Sequence, residues 1–224
     1  MESLYLGSHT VLIKLPEAGL RASKNPAIFL NDGDQLEKLC LSSAYAVLIG
    51  IVPNDRLSEY TPWPEKAIRP DAPDFGGALE DYHHTLLTEI LPFLEEKYRL
   101  DPNQLAYGGF SLGGLAATMS LWQTDRFRHV FSLCGSFWYP GVPEYMEQHP
   151  LKNQPANIFL LNGKKEGNQH TNRLKNAAYY ANQVHQLLSI KANALTVMDD
   201  YSHHEQVAER LQQAMLWVNA QLSK

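Results

Sequence analysis

The stretch Gln104-Leu-Ala-Tyr-Gly-Gly-Phe-Ser111-Leu-Gly-Gly-Leu-Ala-Ala-Thr-Met119 decides how the rest of the chain reads. It sets a G-x-S-x-G, Gly109 to Gly113, between a strand-forming run and a helix-forming one. A serine on so tight a strand-to-helix turn has a strained backbone and passes close to neighbouring strands, so its flanking positions need residues without a Cβ. Gly109 and Gly113 meet that need, with Gly108 and Gly114 beside them. The turn would hold the Ser111 hydroxyl at the C-terminal edge of a sheet and at a helix N-terminus, whose first N–H groups face any developing oxyanion. The plainer alternative is a glycine-rich turn in which Ser111 is only the helix N-cap.

On either side of this turn, short β-branched or aromatic runs alternate with longer amphipathic stretches, the pattern of βαβ units and a mostly parallel sheet. Strands are predicted at residues 11–15, 27–30, 44–52, 104–110, 129–134, 157–161 and 194–198. Helical spacing of apolar residues predicts helices over 79–98, 172–188 and 207–222. Two irregular stretches remain. Residues 53–75 hold five prolines and Trp63, and residues 137–155 hold Phe137, Trp138, Tyr139 and Tyr145 among four more prolines. Long structured loops on an α/β scaffold usually carry function.

At 224 residues and 44% apolar content the chain can bury one sizeable core, so a single domain over residues 1–224 is expected. Against 24 Asp and Glu stand 19 Lys and Arg, a net charge of −5 with no basic cluster, which argues against nucleic acid as a partner. No apolar run approaches membrane-spanning length, and the start Met1-Glu-Ser-Leu-Tyr-Leu lacks the basic and apolar regions of a secretory signal. Cys40 and Cys134 have neither metal-site spacing nor disulfide-scaffold density, and apolar neighbours flank both. A cytoplasmic protein with buried, inert thiols is the expectation.

A serine hydroxyl is a weak nucleophile at neutral pH and needs a histidine to take its proton. In folds built on this turn, acid and base follow the serine in chain order. Of the histidines after Ser111, only His203 and His204 follow the last predicted strand, in a loop before the final helix. His203 is the expected base and His204 its rival. The acid should follow the 157–161 strand, where Glu166 stands, while Asp199 and Asp200 are rivals close to His203 along the chain. Leu112 N–H would be one oxyanion donor, and the turn at Gly33 and Asp34 would supply another. The aromatic residues Trp63, Phe137, Trp138 and Tyr139 would either wall a pocket for an aryl or bulky group or pack their loops on the core. The pairs His83-His84 and His203-His204 lack H-E-x-x-H or any zinc spacing, and no phosphate-binding glycine loop is present, so neither metal nor cofactor is expected.

Assembled in order, these motifs resemble the putative-esterase branch of the α/β-hydrolase superfamily, the group that contains ferric enterochelin esterases. The resemblance runs over residues 27–222. It rests on Phe29-Leu-Asn-Asp-Gly33, Ile49-Gly-Ile51, Arg56-Leu-Ser-Glu-Tyr-Thr-Pro-Trp63, Leu91-Pro-Phe-Leu-Glu-Glu-Lys-Tyr98, Tyr107-Gly-Gly-Phe-Ser-Leu-Gly-Gly114, Ser136-Phe-Trp138, Gly163-Lys-Lys-Glu-Gly167 and His203-His-Glu205. It implies an α/β-hydrolase fold with helices on both faces of a mainly parallel sheet and no separate cap domain. It also implies Ser111 as nucleophile, His203 as base, Glu166 as acid and an oxyanion site near Gly33 and Leu112. Arg56 matches a position at the active-site mouth, where it would hold a substrate carbonyl or carboxylate unless it only pairs with Glu59. Relatives often carry a Trp a few residues after the catalytic histidine, and this chain has Val207-Ala208 there, which implies a different pocket. The implied activity is hydrolysis of a small-molecule carboxylic ester, of siderophore type or aryl-bearing, through an acyl-enzyme. Acyl transfer or thioester cleavage by the same triad, and a non-catalytic binding protein on this fold, are the alternatives.

Overall fold

The computed structural model describes residues 1–39 and 41–222. In chain order the strands are β1 (Glu2–Leu6), β2 (His9–Lys14), β3 (Asn25–Asn31), β4 (Val47–Val52), β5 (Pro64–Glu65), β6 (Phe75–Gly76), β7 (Leu100–Phe110), β8 (His129–Leu133), β9 (Asn157–Gly163) and β10 (Asn193–Asp199). The helices are α1 (Gln35–Lys38), α2 (Arg56–Glu59), α3 (Leu79–Thr85), α4 (Leu91–Tyr98), α5 (Leu112–Gln123), α6 (Val142–Gln148), α7 (Ala177–Lys191) and α8 (Val207–Leu222). The central sheet runs β1-β2-β4-β3-β7-β8-β9-β10, and β5 pairs with β6 as a separate small hairpin. From β4 to β10 every neighbouring pair in the sheet is parallel, and β1 and β2 complete it antiparallel.

Side-chain alternation along each strand divides the core in two. Phe29, Ile49, Val130, Ile158 and Leu160 pack with α3, α4, α5 and α7 on one face. Their neighbours Ile28, Leu30, Leu48, Phe131, Phe159 and Leu161 pack with α1 and α8 on the other. This is an α/β-hydrolase fold with a mainly parallel sheet covered on both faces. None of the described helices is long and apolar enough to cross a membrane.

Several local expectations need correction. The antiparallel edge strand β1 has no buried residue and was not foreseen; its register is set by β2. The strand expected from residue 44 starts at Val47, because Ser43 Oγ accepts the Ala46 N–H and holds a turn there. The long 79–98 helix is broken by a π-helical turn over Leu86–Ile90, followed by Pro92 in the first turn of α4, where its missing N–H is tolerated. The helix expected over 172–188 opens with a 3₁₀ turn capped by Asn172 and runs on to Lys191. Within the proline-rich loop, Asp55 caps α2 by accepting from Leu57 N–H and Ser58 N–H.

Parallel pairing gathers the ends of the strands at one edge. Phe110 is level with Leu133, Leu133 with Leu161, and Gly163 with Asp199. The segments following β7, β9 and β10 therefore emerge beside one another, although they lie far apart in sequence.

Candidate active site

Ser111, between β7 and α5, has φ 59° and ψ −118°, a region a side chain rarely enters. The neighbouring glycines explain how the turn holds it: a Cβ on Gly109 would lie 2.7 Å from the Gly113 backbone, and one on Gly113 would lie 2.9 Å from Asn31 Cβ. Backbone bonds pin the turn on both sides, with Ser111 N–H donating to Leu133 O at 2.9 Å and Ser136 N–H to Ser111 O at 3.1 Å.

His203 and Glu166 both reach this serine. Ser111 Oγ lies 3.0 Å from His203 Nε2, and His203 Nδ1 lies 2.8 Å from Glu166 Oε2. Glu166 is buried, and its other oxygen accepts from Gly163 N–H at 2.7 Å and from Asn162 Nδ2 at 3.2 Å. Burial alone would raise its pKa, but the bonds and charge from His203 and the Gly163 N–H outweigh that and lower it. The rivals are engaged elsewhere: Asp199 holds Arg210 through both oxygens, and Asp200 pairs with Lys164 at 2.8 Å. The His204 ring stands edge-on to His203 at 4.7 Å.

Three residues that support this row were not foreseen. His185 Nε2 lies 3.0 Å from Asn162 Oδ1, which orients the Asn162 amide so that its NH₂ faces Glu166. Burial depresses the His185 pKa to about 4, so the ring is neutral and its Nε2–H is the donor. Arg210, on α8, is almost wholly buried and binds Asp199 with two bonds of 2.6 and 2.7 Å. Its Nη1 donates to Ser202 O at 2.9 Å, His203 O at 3.3 Å and Cys134 Sγ at 2.9 Å. A sequence signal existed for two of them: Arg210 shares the helical stripe of Ala214, Val218 and Leu222, and His185 lies in the helix beside Val184 and Leu188.

Cys134 is buried, as expected, but its setting is not apolar. Burial first, and then the nearby Glu166 charge, push its thiol pKa up, while Arg210 donates to the sulfur. Cys40 falls outside the described residues. Cys134, Glu166 and His203 bring ligand-type atoms within 4.8 Å of one another. The His203–Glu166 bond already uses two of them and a guanidinium covers the third, so this set is not arranged to hold a cation.

The structure changes the oxyanion and substrate expectations. Leu112 is the first residue of α5, where helical N–H groups lack intrahelical partners, and it lines the same cavity as Ser111. Gly33 cannot serve as a donor: its N–H is given to Ile51 O at 2.8 Å, and a Cβ on it would lie 2.3 Å from the Gly50 backbone. Its glycine is required by close packing on β4. Asp34 lines an adjacent cavity and not that of Ser111. Arg56 binds Asp32 through two bonds of 2.7 and 3.0 Å and Phe110 O at 3.2 Å; Glu59 instead pairs with His9. Among the aromatics, Trp138 lines the Ser111 cavity with Phe75, in a space of about 310 Å³. Trp63 does not line it: its Nε1–H donates to Pro140 O and its ring packs against Tyr139 and Tyr145. Phe137 and Tyr139 are fully buried, which makes both packing residues.

The chain is similar to several known proteins. A family model described as "Putative esterase" matches residues 6–215. "Uncharacterized protein YbbA" of Bacillus subtilis (strain 168) is 32% identical over 179 residues, covering 74% of this chain and 72% of that protein. The fold is similar to that of an IroE-like serine hydrolase from Shewanella oneidensis (TM-score 0.74, 17% identity, 99% of this chain and 80% of that one). It is also similar to that of siderophore hydrolase EstA from Aspergillus nidulans (TM-score 0.73, 18% identity, 95% and 90%). The enterobactin esterase FES from Shigella flexneri matches at TM-score 0.72 and 19% identity over 96% of this chain, which spans about half of that longer protein (55%).

Proposed function

For a chain that belongs to the "Putative esterase" family, and is therefore an esterase, we propose a serine mechanism in which Ser111, His203 and Glu166 hydrolyse a carboxylic ester through an acyl-enzyme. The observation that carries the reading is the continuous row from Ser111 Oγ to His203 at 3.0 Å and from His203 to buried Glu166 at 2.8 Å. Ser111 Oγ attacks the ester carbonyl while His203 Nε2 takes its proton, so the new C–O bond forms without a free alkoxide. Glu166 holds the Nδ1–H tautomer and stabilises the imidazolium that results. Leu112 N–H faces the oxyanion, and the strained backbone at Ser111 keeps hydroxyl and donor in a fixed relation. His203 then protonates the departing alcohol, and water, deprotonated by the same nitrogen, releases the acid.

Trp138 and Phe75, edge to face at 6.2 Å, offer the acyl side flat apolar surface, which supports an aryl-bearing acyl group. The test combines a fluorophosphonate probe with aryl ester turnover. Ser111→Ala should abolish labelling and lower kcat by several orders of magnitude; near-normal turnover in that variant would sink the mechanism.

A further inference from the structure

Beside the Ser111 cavity lies a second and larger one, about 410 Å³, within the range of small-molecule sites. Arg56 and His204 line both, so the two spaces share a wall. Five leucines, Leu30, Leu39, Leu41, Leu133 and Leu211, together with Phe110, give the second chamber an apolar body. Its charged lining is Asp32, Asp34 and Arg56. Arg56 is already committed to Asp32 and Phe110 O, and Asp34 pairs with Lys38 on the exposed side. An anion entering the chamber would thus meet two carboxylates and no free cation among the lining residues.

The serine chemistry says which part of a substrate can reach this space. The acyl group stays bonded to Ser111 after the first step, so it must occupy the cavity that Ser111 and Leu112 line. The leaving oxygen must sit against His203 Nε2, which protonates it. The second chamber touches neither Ser111 nor Leu112. It is bounded by Phe110, whose ring lies 5.1 Å from that of His203, and by His204, the next residue. It therefore lies beside the imidazole that protonates the leaving group. Resting on the serine-esterase reading above, we propose that this chamber is an alcohol-side subsite that takes an uncharged aliphatic group, so that the preferred substrates are neutral esters of medium-length alcohols.

A series of benzoate esters with the acyl group fixed and the alcohol lengthened from methyl to hexyl tests this. kcat/KM should rise by about fourfold per methylene while each is buried. An ester of 6-hydroxyhexanoate, carrying a carboxylate at the far end, should react at least tenfold more slowly than the hexyl ester. Val207→Trp and, separately, Leu41→Trp place bulk in the chamber from α8 and from the segment after α1. Each should collapse the hexyl-to-methyl ratio toward one while circular dichroism and melting temperature report a folded protein. A flat dependence on alcohol length, or equal rates for the hexyl and carboxylate esters, would overturn the proposal. Hexanol binding to Ser111→Ala protein, followed by saturation-transfer NMR, separates this from failure of the serine mechanism. Binding that Val207→Trp removes upholds the chamber even if no ester is turned over, and absence of binding refutes it even if Ser111 is an active nucleophile.

Discussion

Arg210 allows the positioning of His203, the proposed base, to be separated from stability. Arg210→Met removes every bond that side chain makes: two to Asp199, two to the carbonyls of Ser202 and His203, and one to Cys134 Sγ. The Arg210 side chain is 1% exposed and that of Asp199 18%, so the variant leaves a largely buried carboxylate without its partner. Breaking such a pair costs about 3 kcal/mol. In a chain of this size that lowers Tm by roughly 6–12 °C. The double variant Arg210→Met with Asp199→Leu replaces both charges by apolar groups, which is often near neutral, so most of the lost stability should return. The two carbonyls on the His203 loop stay untethered in both variants. A displacement of the imidazole by about 1 Å is enough to cost roughly 100-fold in kcat. The expected outcome is therefore a double variant that is stable but still slow, with KM little changed. Urea unfolding gives the first quantity, and aryl ester kinetics normalised by fluorophosphonate titration give the second. Recovery of kcat together with stability in the double variant would refute the positioning role and reduce Arg210 to a core ion pair.

Burial depresses His83 and His185 to about 4, whereas a free histidine titrates near 6.5. The unfolded chain thus binds more protons between those values, so their contribution to stability is complete above about pH 6.5 and is lost as pH falls toward 4. His185→Gln should flatten the pH dependence of the urea midpoint in that window, and an unchanged slope would contradict the assignment. Glu166 has the opposite chemistry but the same sign: its pKa is lowered in the fold, so its contribution is present above the unfolded carboxylate value near 4.3 and disappears as pH falls through the folded one. Glu166→Gln should cut kcat by about two to four orders of magnitude and should remove that part of the acid dependence; a variant with wild-type kcat would exclude Glu166 as the partner of the base. Trp138→Ala should lower kcat/KM for aryl-bearing acyl groups more than for acetyl esters. Trp63→Ala should lower Tm and affect both substrate classes alike, since its ring touches the loop and not the cavity, and a substrate-selective effect there would reverse the assignment.

What could be read in the sequence was what depends on chain-local geometry or on sheet direction. Ser111 was legible because a side chain at positive φ requires the glycines that stand around it. The placement of His203 and Glu166 beside Ser111 was legible for a topological reason: parallel strands deliver the segments that follow them to one edge, so residues after β9 and β10 had to arrive beside the end of β7. Choices between chemically equivalent partners were not legible. Arg56 and Glu59 face each other on one helical turn, yet Asp32 takes the first and His9 the second. Asp32-Gly33 reads as a turn with a free N–H, but the Ile51 carbonyl on β4 consumes it. Trp63 and Trp138 stand in similar proline-rich surroundings and differ only in what lies opposite them, which is a tertiary fact.

The carboxylate that pairs with His203 shows how such a choice is made. Glu166 and Asp199 both stand at the C-terminal ends of neighbouring parallel strands, and either could have been the partner of a histidine at that edge. Two bonds from Arg210 occupy both oxygens of Asp199, and the same guanidinium reaches past it to the carbonyls of Ser202 and His203. The histidine loop is thereby tied to α8, with its ring turned to the carboxylate that remains. On that side Gly163 N–H and the Asn162 amide bind one oxygen of Glu166 and leave the other for Nδ1. A charge on the apolar stripe of the last helix, which looks like an error in the hydrophobic pattern, is therefore what decides between two carboxylates that the chain order alone leaves equal.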